Sequence, residues 1–107
     1  MDFKYYAERQ KQWSLTTFGE GKRTEGIVKH IQSELDEILN ANNDLDRMEE
    51  CIDVIILAID MCWRLGCSSK GMEQILRDKQ NKNFNRQWPP VEVSEANQDK
   101  PTFHIKG

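Results

Sequence analysis

The segment Cys51–Trp63 constrains this chain of 107 residues more than any other. It is apolar on nearly every face of a helix, and only Asp53 and Asp60 interrupt it. A helix without a polar side is normally buried, and a carboxylate buried with it is costly unless it is paired or bound to a cation. Thirteen residues with two aspartates fall short of the roughly 20 that a membrane span needs. One domain of this length has few other elements to cover such a helix, so the pattern predicts a homo-oligomer joined through helix faces.

The neighbouring segments predict further helices. Ile27, Ile31, Leu35 and Ile38 are spaced four, four and three apart, the stripe of an amphipathic helix over 23–41. The turn Asn40–Asp44 offers Asn43 or Asp44 as N-cap of a third helix, about 45–65, with Gly66 placed to end it. So short a connection predicts an antiparallel hairpin. Phe3, Tyr6, Ala7, Gln10 and Trp13 mark a first helix over 3–14, broken by Thr16–Lys22 with its two glycines. Gly19-Glu20-Gly21-Lys22 reads as an ordinary loop ahead of a phosphate cradle. Ser68 or Ser69 caps a fourth helix reaching about Asn85, and Pro89-Pro90 closes the helical part. Residues 91–107 are polar and lack helical period, which reads as a tail or arm. The fold class is therefore all-α: an antiparallel bundle of about four helices in residues 1–88, followed by an irregular arm, 89–107.

Within the hairpin, Glu34-x-x-Glu37 is followed after twelve residues by Glu50-x-x-Asp53. Each pair lies one turn apart on its helix, so four carboxylates can enter one small volume. Hard divalent cations such as Mg²⁺ take oxygen ligands of this kind and keep several waters. With cations bound, the site would attract phosphates, and metal-assisted phosphoanhydride hydrolysis fits that chemistry. The plainer alternative is that these glutamates, good helix formers, decorate solvated faces; Asp53, one turn into the apolar helix, weighs against it. Asp60 lies seven residues beyond Asp53, about 10 Å along the axis, which suits an ion pair with Lys or Arg rather than the same cluster. Lys79, Asn83 and Arg86 fall at i, i+4 and i+7 as candidate phosphate donors, or as a solvated stripe near a helix C-terminus. His30 is a candidate ligand or base contact, or a surface histidine. Trp13 and Trp88 are stacking candidates, with core packing the alternative.

The formal net charge of −3, without a long like-charge run, gives no argument for polymeric nucleic acid or a membrane surface. Met1-Asp2-Phe3-Lys4 lacks the apolar start of a signal peptide. The three cysteines form no C-x-x-C pair, and Cys51 and Cys62, eleven residues apart on one helix, are about 16 Å from each other, beyond disulfide reach. They read as small core residues in a reducing compartment, and the chain as cytoplasmic.

E-x-x-E, twelve residues, E-x-x-D, then Lys79-x-x-x-Asn83-x-x-Arg86-x-Trp88 resembles the MazG-like all-α nucleotide pyrophosphohydrolases. Trp13-Ser14, Thr17-Phe18-Gly19, Arg23-Thr24, Gly26, His30-Ile31, Leu57, Asp60, Trp63-Arg64 and Gly66 make it similar to the short dATP/dGTP diphosphohydrolase branch of phages and bacteria, over about residues 8–90. The resemblance implies hydrolysis of a deoxynucleoside triphosphate to the monophosphate and pyrophosphate with Mg²⁺ or Mn²⁺. By position, Glu34, Glu37, Glu50 and Asp53 would be the metal ligands and catalytic carboxylates, one glutamate also activating the water. Lys79, Asn83 and Arg86 would hold phosphates, with His30 and Trp13 further substrate contacts. It implies a homodimer or homotetramer, the host cytoplasm for a phage-encoded chain, and a place in nucleotide-pool remodelling, including conversion of dGTP to dGMP on the route to 2-aminoadenine DNA. Two positions depart from the family pattern: Cys51 stands where tryptophan is expected, and Pro89-Pro90-Val91-Glu92 where Pro-Asp-Trp-Arg is expected. Two other readings stay open: a non-catalytic helical interaction or inhibitor protein, and the same hydrolase acting on dUTP or a modified nucleotide.

Overall fold

In a computed structural model, which describes residues 1–106, the chain is helical from end to end of its first four elements. In order these are α1 (Phe3–Phe18), α2 (Thr24–Asn40), α3 (Asp44–Arg64) and α4 (Ser69–Phe84), followed by a short α5 (Val91–Ala96). No strand forms among the described residues; Gln87 and Ile105 make one isolated antiparallel bridge. Two compact units result, one from Met1 to Glu73 and one from Gln74 onward.

Local chemistry explains the boundaries. Asp2 caps α1, its side chain accepting from the Tyr5 amide at 3.1 Å. Helix α1 runs four residues past the predicted end and stops where Gly19 and Gly21 take positive φ (77° and 113°), conformations that cost other residues heavily. Asn43 caps α3 by accepting from the Asp46 amide at 2.9 Å, and Asp44 and Asp46 occupy its positive first turn. Arg47 closes the other side of the same turn. Its guanidinium donates to the carbonyls of Ile38 and Ala41 at 3.0 and 3.2 Å, filling acceptors left open at the end of α2. Gly66 (φ 95°) ends α3 as expected, and Ser68 starts α4 by accepting from the Gly71 amide.

The hairpin register follows from these caps. Glu34 lies six residues before the end of α2 and Glu50 six after the start of α3. At 1.5 Å per residue each stands about 9 Å from the turn, so antiparallel packing sets them side by side.

Arg64 locks this unit together. Its side chain is fully buried and meets Asp60 at 3.2 Å. It also donates to the carbonyls of Gly19 and Gly21 at 2.9 Å each and to Ser14 Oγ at 2.8 Å. Asp60 accepts a second bond from the Trp63 indole at 2.7 Å. The ion pair expected of Asp60 is therefore present, and one buried guanidinium ties α3 to α1 and to the α1–α2 loop.

The apolar core of a single chain is small. Ala7, Ile27 and Met72 are its buried hydrophobic residues, whereas Ile52 and Ile55 on α3 remain 53% and 52% exposed. Cys51–Trp63 is not completely buried within one chain, because α2 and α1 cover only part of α3. Cys51 is exposed and Cys62 and Cys67 are half-buried; all three are free thiols, so Cys51 is not the core residue anticipated. The arm also differs from expectation. Val91–Ala96 is helical, and the Ile105 amide donates to the Gln87 carbonyl at 2.7 Å.

Candidate functional site

Glu34, Glu50 and Asp53 converge. Each offers a carboxylate oxygen, and the three oxygens lie within 4.8 Å of one another. Glu34 is buried, and its Oε1 lies 3.2 Å from His30 Nε2. The second oxygens of Glu34 and Glu50 are both buried without a hydrogen-bond partner. The nearness of the Glu34 and then the Glu37 carboxylate, where a proton on Glu50 can be shared, followed by desolvation and the charge of both neighbours, pushes the Glu50 carboxyl up to about 8. A proton thus stands in for a missing positive charge at neutral pH. Glu37 is exposed and lies outside the three-oxygen group, near enough to raise the Glu50 carboxyl. Asp53 is exposed as well, contrary to the burial inferred from its apolar neighbours, because it sits on an uncovered side of α3.

Converging carboxylates with orphaned buried oxygens suit a hard cation. Such an ion would satisfy the empty acceptors and take the place of the shared proton. The donor set is all oxygen, which favours Mg²⁺ or Mn²⁺ over zinc. The cluster could therefore hold a divalent metal, and the residues present fit one.

Next to these acids lies a cavity of about 330 Å³ whose wall includes Glu34 and Asp53. Trp13, Phe18, Arg23 and His30 line it, with Gln10 adding an amide. Trp13 and Phe18 meet edge to face with centroids 5.5 Å apart, and the Arg23 guanidinium lies 4.4 Å from the Phe18 centroid. Arg23 is the one non-glycine among the described residues with positive φ (49°), a conformation costing of order 1 kcal/mol or more. Residue spacing alone did not assign Gln10, Phe18 or Arg23 to the site. The available signal was the glycine break at 19–21, which sets Arg23 at the mouth of α2.

The expected phosphate stripe is only partly formed. Helix α4 ends at Phe84, so Arg86 lies beyond it and turns back to donate to Asn83 Oδ1 at 3.0 Å. Lys79 is exposed on α4. Trp88 is engaged within the second unit: its indole donates to the Asn83 carbonyl at 2.7 Å and its ring meets His104.

The model of the dATP/dGTP pyrophosphohydrolase family matches residues 6–105. The chain belongs to this family. It is a nucleoside triphosphate pyrophosphohydrolase, as the acidic hairpin resembling the MazG-like enzymes implied. No curated protein and no solved structure matches it. No helix among the described residues of the hydrolase is long and apolar enough to cross a membrane.

Proposed function

We propose that the hydrolase cleaves purine deoxynucleoside triphosphates, dGTP and dATP, between the α- and β-phosphates, at Glu34, Glu37, Glu50 and Asp53, in a Mg²⁺- or Mn²⁺-dependent reaction. The observation that carries this reading is the meeting of three carboxylates, two of them with orphaned oxygens, at the wall of an aromatic cavity. Glu34, Glu50 and Asp53 would hold the cation, which when bound neutralises phosphoryl charge and makes a water more acidic. Glu37, at the edge of the cluster, is the carboxylate free to take the proton of the attacking water. The water adds to phosphorus, the phosphoanhydride bond breaks, and the leaving pyrophosphate carries away its electron pair.

His30 Nε2 stands 3.2 Å from Glu34 Oε1 and its ring lines the same cavity. Trp13 and Phe18 offer flat apolar surface to a base, and Gln10 and Arg23 offer donors for the acceptor-rich edge of a purine. Lys79, Asn83 and Arg86 are assigned to the phosphates, Arg86 with its fork aligned by Asn83. Homodimers or homotetramers would cover the half-exposed isoleucines of α3. Those isoleucines form, with Phe3 and Tyr6 of α1, an apolar groove of about 520 Å³, the sort of patch that marks an interface. The family resemblance would place dGTP cleavage in nucleotide-pool remodelling, in the host cytoplasm for a phage-encoded chain, including a route to 2-aminoadenine DNA.

Specificity constants for the four dNTPs, dUTP and the ribonucleotides test the proposal. dGTP or dATP should lead by an order of magnitude. A lead for dUTP would favour the alternative substrate, and no turnover with either metal would favour a non-catalytic interaction protein.

A further inference from the structure

The arm after Pro90 carries the least periodic sequence in the chain, yet it returns to the end of α4. The Ile105 amide donates to the Gln87 carbonyl at 2.7 Å, and the His104 ring meets Trp88 edge to face at 5.9 Å. His104 and Lys106, on either side of Ile105, both line a cleft of about 730 Å³, whose other walls are Asn85, Arg86, Gln87 and Ile105.

The chemistry of this cleft is one-sided. No side-chain carboxylate among the described residues lines it, although the whole chain carries a net charge of −3. Arg86 and Lys106 make no ion pair with a carboxylate among the described residues. Arg86 is half-buried, and its guanidinium is held at one end by Asn83 Oδ1 at 3.0 Å, leaving its other donors for a ligand. A planar fork beside a mobile ammonium and an imidazole is a donor set for tetrahedral oxyanions. The volume of the cleft exceeds what one small ion fills and leaves room for a run of phosphoryl groups.

We infer that the C-terminal arm completes a polyphosphate-binding cleft in which Lys106 and His104 act with Arg86. This deepens the phosphate role proposed above for Arg86, and gives the arm a binding function that its sequence does not announce. A nucleoside triphosphate and free pyrophosphate or tripolyphosphate present the same chemistry to it.

The test uses the full chain with EDTA present, so that the acidic cluster carries no cation. Inorganic tripolyphosphate is titrated calorimetrically into the wild type and into Lys106→Ala, Lys106→Arg, His104→Ala and Arg86→Ala. Loss of one charge-assisted contact should weaken binding about ten-fold. Lys106→Ala should therefore lose about that factor, His104→Ala a smaller one, and Lys106→Arg should retain affinity. Wild-type affinity in Lys106→Ala would overturn the role of the arm. If Arg86→Ala still weakened binding, its phosphate role would survive; if it did not, both readings would fall together. Lys106-dependent binding in a protein that turns over no nucleotide would leave the cleft standing and remove the hydrolase reading. Where turnover is present, competitive inhibition of dGTP hydrolysis by tripolyphosphate would identify the nucleotide chain as the ligand, and non-competitive inhibition would identify free polyphosphate. Absence of any heat or displacement with the wild type would overturn the inference.

Discussion

Replacing Arg64 by Met should strongly destabilise the first unit. The substitution keeps most of the apolar stem and removes the charge. Asp60, whose side chain is 6% exposed, then loses its partner and retains only the Trp63 indole as donor. The carbonyls of Gly19 and Gly21 and the Ser14 hydroxyl lose their donor as well. Breaking a buried pair by removing one member costs about 3–5 kcal/mol, a large share of the 5–15 kcal/mol typical of a domain. With a urea slope of about 1.5 kcal/mol per molar for a chain of this size, the midpoint should fall by about 2–3 M. Equilibrium urea unfolding followed by circular dichroism measures this, at one protein concentration because assembly would shift the apparent stability. Adding Asp60→Asn to Arg64→Met removes the stranded charge while keeping an acceptor for Trp63, so the double variant should lose less than the two single changes added together. A loss below about 1 kcal/mol for Arg64→Met, or strict additivity, would refute the claim that this guanidinium locks α1, the loop and α3.

Other outcomes follow from the acidic cluster and the exposed helix face. Between the ordinary carboxyl value of 4.5 and about 8, the folded metal-free chain keeps a proton at Glu50 that the unfolded chain has lost. Its stability should therefore fall as pH rises through that window, and Mg²⁺ or Mn²⁺ uptake near pH 7 should release about one proton; calorimetry in buffers of different ionisation heat would contradict this by showing none. Asp53→Asn should abolish both turnover and thermal stabilisation by millimolar Mn²⁺ while leaving the helical dichroism intact, and retained stabilisation would remove Asp53 from the metal site. Ile55→Glu should convert the assembled protein to monomers in light scattering, an unchanged mass excluding this face from the interface.

The sequence made the hairpin legible because its signals are local. Isoleucine spacing sets the face of α2, Asn43 caps α3, and a short turn leaves Glu34 and Glu50 no register but side by side. Asp60 was readable as an ion-pair acid because it lies seven residues beyond Asp53, too far along the helix for the same cluster; that Arg64, one turn on, is its partner comes from the structure. What Arg64 does beyond that was not readable, because Ser14, Gly19 and Gly21 lie more than forty residues earlier and no periodicity links them. Asp53 and Cys51 misled in the opposite way: apolar neighbours imply burial, but a single chain lacks the surface to cover all of α3. The arm escaped because a six-residue helix and one bridge leave no pattern, and the positive φ of Arg23 has no sequence mark of its own.

The central claim is that the carboxylates of α2 and α3 direct cleavage between the α- and β-phosphates. The most direct measurement is chromatographic separation of products from dGTP and Mg²⁺, for the wild type and Glu50→Gln side by side. The wild type should yield dGMP and pyrophosphate in equal amounts, and Glu50→Gln neither. dGDP with phosphate, or unchanged dGMP formation by Glu50→Gln, would contradict the account.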